Sequence, residues 1–291
     1  MMQGRVMVSD AASRLLSAHT PVDLTQTRSV KLDASPGCLY ARGGFLYCAV
    51  MPGDSEPSIL RLNLQDLTAD REYAAGADVE RMFLSYDGGR LYALLGGADT
   101  VLMMDADSGE WLMSAPVGVS PRDMRLDKSG KRLAVAGGAS GSVLVLDAEN
   151  LETQAEYPVE GTAVGAFFAA DGLVTLSESA DYEPYGIVGI IPERSGEYEA
   201  VWELPGMPSS FAMGMNGLLV GHMNTITLLN LQHRETRWRM IVQGLPDNIT
   251  PIGRLACYMD RLTGRVGAVD CFQPTLMSVI RKAEPAGLAY L

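Results

Sequence analysis

The feature that most constrains this chain is an internal repeat. The segment from Gly76 reads GADVERMFLSYDGGRLYALLGGADTVLMMDADSGEWLMSAPVG, and the one from Gly118 reads GVSPRDMRLDKSGKRLAVAGGASGSVLVLDAENLETQAEYPVEG. At an offset of 42 residues, Met82 falls on Met124, Gly88 on Gly130, Gly96 on Gly138, Val101 on Val143 and Asp105 on Asp147. A unit of this length cannot bury an apolar face by itself, so the period argues for an array of like units stacked on one another.

Each unit carries four short apolar runs separated by turn chemistry, the signature of strands joined as hairpins. In the unit from Gly118 they are Asp123 to Leu126, Arg132 to Ala136, Ser142 to Leu146 and Thr153 to Pro158. Asp127-Lys128-Ser129-Gly130 separates the first two; there Asp bonds its own backbone and Gly takes a positive φ. The same punctuation recurs as Arg42-Gly43-Gly44, Tyr86-Asp87-Gly88-Gly89, Ala170-Asp171-Gly172 and Met215-Asn216-Gly217. It marks six units that begin near Ser35, Ala77, Val119, Thr162, Met207 and Pro246.

Two fragments remain. Residues 4–34 supply three strands, Arg5 to Val8, Arg14 to Ala18 and Thr27 to Leu32, and lack a first. Residues 285–291 read as a first strand with no unit to follow. Together they complete a seventh unit. The expected architecture is therefore all-β: one domain over 1–291, a seven-bladed β-propeller whose closing blade joins strands from both ends of the chain. Such a seam adds a ladder of backbone hydrogen bonds, each contributing about 1 kcal/mol net, and leaves no sheet edge exposed.

With Ser120-Pro121 ahead of the first strand, Gly130 and Gly138 in the two turns and Val143 to Asp147 as the third strand, the repeat resembles the YVTN type of propeller repeat. Blades two and three carry the resemblance, whereas blades four to six depart from the pattern. The recurring Gly-His and Trp-Asp landmarks of WD40 blades are missing. What the resemblance implies is the fold; the family is functionally mixed, and a fold does not dictate chemistry.

Composition narrows the function classes. The chain has 291 residues, 47% hydrophobic and 20% charged, as expected of a globular protein. No run approaches the roughly 20 apolar residues of a membrane helix, and Met1 to Ala12 lacks the order of a secretory signal, so a cytoplasmic protein without membrane insertion is expected. Thirty-five acidic against 23 basic side chains give a formal charge of -12, which disfavours nucleic acid as a partner. Cys38, Cys48, Cys257 and Cys271 are too scattered for a disulfide framework and read as buried thiols of a reducing compartment. His19, His222 and His233 show no zinc-ligand spacing, and neither metal nor cofactor is expected. Asp105-Ala106-Asp107-Ser108-Gly109 imitates a calcium loop, but its twelfth position is Pro116 and it reads as a strand-joining turn. Trp111, Trp202 and Trp238, near fourth strands, read as packing between blades.

In a propeller the first strands line a central channel, and the loops entering them share a face with the loops joining strands two and three. Binding concentrates on such loops because the scaffold holds them. This face is expected to gather Glu80, Arg81, Arg122, Asp123 and Asp247 near the channel mouth, with Asp78, Ser209, Ser210 and Asn248. An outer ring would comprise Met51 to Pro57, Gly96 to Thr100, Gly137 to Ser142, Ser177 to Gly186 and Gly221 to Asn224. The loop from Ser177 combines Glu178, Asp181 and Glu183 with Tyr182 and Tyr185, a lip suited to cationic or aromatic ligands, or simply a solvated loop. Arg122 offers a two-pronged donor for carboxylate or phosphate, or a salt bridge to Glu80. His222 would act as a general base only with a partner at its ring, and otherwise is a turn residue. The leading expectation is a non-enzymatic binding or scaffold protein that holds a peptide, protein or small molecule on this face. The alternative is a hydrolase or lyase similar to lactonase-type propellers, using His222, Arg122 and the 178–183 loop.

Overall fold

The structure, a computed structural model, describes residues 4–51, 53, 55–170, 172–242 and 244–291. Its strands form seven antiparallel sheets of four, and the chain is an all-β seven-bladed propeller. Blades one to six begin at Ser35, Val79, Asp123, Thr162, Pro208 and Asn248. The widest departure from the sequence reading is in blade three, expected near Val119. There Val119 makes an isolated bridge to Gly138, so the residues ahead of Asp123 serve as a strut and not as strand. Asp171 of the Ala170-Asp171-Gly172 turn, and Pro52 and Asp54 of the expected outer ring, lie outside the described residues.

The turns follow from the aspartates of the repeat. At the end of the third strand Asp147 Oδ1 accepts from the amides of Glu149 and Asn150, and Asp270 Oδ1 from those of Phe272 and Gln273. These side chains mimic a backbone turn and tighten the hairpin. Asp105 does the same with Asp107 and Ser108, so the imitation calcium loop is a turn.

The chain divides into two compact units, one of residues up to Glu72 with Ser209–Leu291, the other Tyr73–Pro208. In the second unit, aromatic side chains reach across to neighbouring blades. The Tyr73 hydroxyl donates to Ala106 O at 2.7 Å, that of Tyr92 to Ala148 O at 2.6 Å, and Trp111 Nε1 to Ala74 O at 2.8 Å. In the first unit Trp238 Nε1 donates to Cys271 O at 3.0 Å. The Tyr73 and Tyr92 rings are thereby buried with their hydroxyls satisfied, whereas the Trp111 ring stays about half exposed over Gly76.

The first unit contains the seam. Its closing sheet runs Pro285–Tyr290, Val6–Asp10, Leu15–His19, Gln26–Lys31 in that order, with Val6 opposite Tyr290 and Val8 opposite Leu288. The strand Val6–Asp10 is buried on both sides because its side chains alternate between two interfaces. Met7 joins Leu46, Cys48 and Leu62 of blade one, while Val6 and Val8 join Cys257, Met259 and Ala268 of blade six.

A buried polar chain ties blade six to this sheet. Asp10, 4% exposed, accepts from the amides of Ala283 and Glu284, both at 3.0 Å, and of Ser13 at 3.3 Å. Burial alone would raise its carboxyl, but these amide bonds outweigh that and hold it below 3.8. Lys282 Nζ donates to Ser17 Oγ at 3.0 Å, and Ser17 Oγ lies 2.9 Å from His19 Nε2. His19 Nδ1 lies 2.8 Å from Leu24 O, which can only accept, so Nδ1 carries the proton and Nε2 receives the serine hydroxyl. Every group is satisfied by a neutral imidazole.

Burial lowers the His19 pKa below 6.5, the Leu24 carbonyl opposing and the Lys282 charge adding to the effect. The unfolded chain therefore takes up the proton first, and stability present above 6.5 is lost as pH falls through the lower folded value. Urea midpoints between about pH 7.5 and pH 5 check this: the wild type weakens toward acid, and His19→Gln weakens less steeply. Equal slopes would contradict the assignment.

Candidate functional site

In blades two, three and six the residues entering the first strand lie against the second strand of the same blade or the loop that follows it. In blade two the Gly96 amide donates to Asp78 O at 3.2 Å, and in blade six the Asp247 amide donates to Met259 O at 2.8 Å. In blade three the contact is closest. The Ala139 amide donates to Val119 O, and a Cβ on Gly138, whose φ is +55, would overlap Ser120 O. Gly138 is also bridged to Ala163, with the Ala163 amide donating to Gly138 O at 3.0 Å. The glycine-rich loop expected in the outer ring is thus a staple between blades three and four. Only a residue without a side chain fits there.

Near the first strands of the second unit the charges meet differently from expectation. Asp123, 3% exposed, accepts from Arg81 Nε at 3.3 Å and from Arg125 Nε at 3.1 Å. Glu80 sits at a register shift between Val79 and Arg81, and its side chain covers Gly96. The bridge weighed between Arg122 and Glu80 does not form: among the described residues Arg122 makes no ion pair, and its exposed side chain is held only through its amide, which donates to Ala136 O. The ion pair that forms is one residue further along each segment, Arg81 with Asp123, and these two are separated by one full repeat. Glu80 and Arg122 are also one repeat apart, so the spacing marks equivalent positions on adjacent blades without deciding which pair bonds.

In the first unit Asp247 pairs with Arg261 at 2.8 Å, and the hydroxyls of Ser209 and Ser210 both donate to Pro246 O, at 2.7 and 2.6 Å. His222 is the last residue of the strand Gly217–His222 and not part of a turn. It is 2% exposed, with Nε2 2.7 Å from Thr227 Oγ1. His19, likewise buried, belongs to the seam. Cys48 and Cys257 are buried as well, and burial pushes the Cys257 thiol up to about 12, which leaves it inert as a nucleophile. Among the described residues no group of three or more His, Cys, Asp or Glu side chains is placed to hold a metal ion. Among the described residues no helix is long and apolar enough to cross a membrane.

The loop between strands two and three of blade four stands apart from these mutually engaged groups. Ser179 closes its base twice, its amide donating to Tyr185 O at 2.9 Å and its hydroxyl accepting from the Tyr185 amide at 3.0 Å. The tip projects Asp181, Tyr182 and Glu183 into solvent, Tyr182 fully exposed. Glu178 ends the strand Gly172–Glu178, half-buried beneath. Loss of solvent raises the Tyr185 pKa above 10.0, reinforced by the negative charges of Asp181, Glu160 and Glu203. Glu160 is near because the linker before blade four passes against the loop: a Cβ on Gly161 would overlap Glu178 O. Carboxylates from three segments therefore surround one tyrosine.

No protein-family model matches the sequence, and no curated protein matches it. Solved structures do. The β-propeller domain of Myceliophteria thermophila Cps50 (Swd1) superposes with a TM-score of 0.71 at 12% identity, over 90% of this chain and 91% of that one. The periplasmic gluconolactonase of Pseudomonas aeruginosa gives 0.76 at 14% identity, over 99% of both chains. Hydrazine synthase of Kuenenia stuttgartiensis gives 0.76 at 16% identity, over 89% of this chain and 90% of that one. The likeness is one of fold.

The two arginine environments make a contrast that stability measurements resolve. Asp123→Ala leaves two partly buried guanidinium groups without their carboxylate and is expected to cost about 1–3 kcal/mol. Arg122→Ala is expected to stay within about 0.5 kcal/mol of wild type. Urea denaturation reads both, and equal effects would overturn the assignment of the ion pair.

Proposed function

We propose that this chain is a binding propeller without catalytic machinery, and that the acidic loop of blade four holds a cationic partner, a Lys- or Arg-rich peptide segment. The observation that carries the reading is the loop tip: Asp181, Tyr182 and Glu183 presented on a pinched base, with Glu160 and Glu203 behind them around Tyr185. From Thr162 to Leu204 the sequence has a single basic residue, Arg194, against eight carboxylates. Such a one-signed field attracts cations, and an exposed tyrosine face adds cation–π attraction to each ammonium or guanidinium group. The remaining polar groups of the face support this reading, since Asp123, Asp247, Ser209 and Ser210 are engaged with neighbouring blades or their own and shape the scaffold. We assign the repeats to the YVTN type on the motif of blades two and three, and the buried thiols fit a reducing, cytoplasmic setting.

A lactonase-like activity has in its favour the likeness in fold to the Pseudomonas gluconolactonase. Against it stands His222, buried and bonded to Thr227, out of reach of a substrate. The expected rate of gluconolactone hydrolysis is the uncatalysed one.

Titration with an octalysine peptide tests the binding reading. Affinity is expected to fall with added salt and to drop roughly tenfold in the double variant Asp181→Asn/Glu183→Gln. A charge-matched control in the blade-three turn, Glu149→Gln/Glu152→Gln, is expected to bind as wild type. Equal losses in both variants would mean attraction to net charge alone and would sink the proposal.

A further inference from the structure

Within the second unit, the interface between blades three and four departs from the one before it. Between blades two and three Tyr92 fills the space, packed with Leu133 and Val135 of the second strand of blade three, its hydroxyl bonded to Ala148 O. One repeat on, Ala134 holds the position of Tyr92. The strand that meets it from blade four, Gly172–Glu178, presents Leu173, Thr175 and Ser177, alternate residues on one face. Small side chains, Ala134 and Ala136, and two hydroxyls thus stand where the preceding interface has an aromatic ring and aliphatic groups.

A third hydroxyl enters from Tyr198, the residue before the fourth strand Glu199–Leu204. Its ring packs against the same apolar cluster and lies over Gly189. A Cβ on Gly189 would overlap that ring and sit 2.8 Å from Thr175 Oγ1, so ring and hydroxyl border one space. Burial raises the Tyr198 pKa above 10.0; the Ser177 hydroxyl and the Glu160 amide oppose the rise, close to the phenol oxygen but outside hydrogen-bond geometry, while the Glu160 charge adds to it. Thr175 Oγ1, Ser177 Oγ and Tyr198 Oη are all sealed from solvent, and among the described residues none of the three has a hydrogen-bond partner. A buried hydroxyl that bonds to nothing has lost its hydration without return, and native interiors supply such groups with a protein or water partner. All three groups are neutral, and each can donate or accept. A water molecule, with two donors and two acceptors, can meet them together.

We infer that blade four is built around an internal water site, in which one ordered water molecule bridges Thr175 Oγ1, Ser177 Oγ and Tyr198 Oη and ties the second strand to the segment ahead of the fourth. Ser177 is two residues from the base of the acidic loop at Ser179, yet the site does not depend on the function proposed for that loop.

A high-resolution crystal structure of the intact wild-type chain tests the inference without any substitution. The expected result is a single density peak about 2.6–3.2 Å from all three oxygens. The absence of a peak there, or three oxygens bonded directly to protein groups, would overturn it. Urea denaturation gives a second reading in solution. Thr175→Val and Tyr198→Phe each remove one partner of the same water, so each lowers the midpoint and the double variant is expected to lose clearly less than the sum of the two. Ser177→Ala replaces either variant that fails to fold. Strictly additive losses in folded variants would show hydroxyls that share nothing and would likewise overturn the site.

Discussion

The structure depends on one sheet in which the end of the chain pairs with its beginning. Five residues from Val6 to Asp10 are bonded to Pro285–Tyr290 on one side and to Leu15–His19 on the other, and their side chains fill the interfaces with both neighbouring blades. Backbone bonds at this seam satisfy groups that an open ring would leave as a bare sheet edge. Side chains reinforce the same junction. Asp10 gathers the amides of the preceding linker, Ser9 Oγ donates to Gly37 O at 2.7 Å, and Ser278 Oγ donates to Val22 O at 3.0 Å. These contacts span 28 to 274 positions in sequence, so they form only when the whole first unit is assembled.

That fixed frame explains why most polar residues of the loop face serve structure. A carboxylate as buried as Asp123 must be paired to be tolerated, and Arg81 and Arg125 pair it. A histidine as buried as His222 or His19 must find partners for its ring nitrogens, and each does so within its own hairpin or sheet. Exposed chemistry is left to the feature that lengthens the repeat, the blade-four loop. Departures from a repeat are where function can vary without disturbing the stack.

The fold was legible in the sequence because strand and turn signals are local. Blades one and four begin at the residues expected, and blades five and six within a residue or two. Both chain ends also paired as their composition required, three strands meeting one. The strut ahead of Asp123 was not legible, since Val119 reads as strand material and only its bridge to Gly138 shows its role. The site was less accessible still. Arg122 with Glu80 and Arg81 with Asp123 are each one repeat apart, so comparing one unit with the next offers both pairs, and only the second forms an ion pair. The burial of His222 depends on its strand running two residues further than the loop expected from Gly221, and periodicity does not fix strand ends.

Native-state hydrogen exchange of the amides from Ala286 to Tyr290 tests the seam most directly. If the closing sheet holds the first unit together, these amides exchange only through global unfolding, with the same denaturant dependence as the buried strand Leu255–Asp260 of blade six. Exchange of the terminal strand at a markedly lower free energy, with blade six still protected, would show that the last strand is an appendage and would contradict the account.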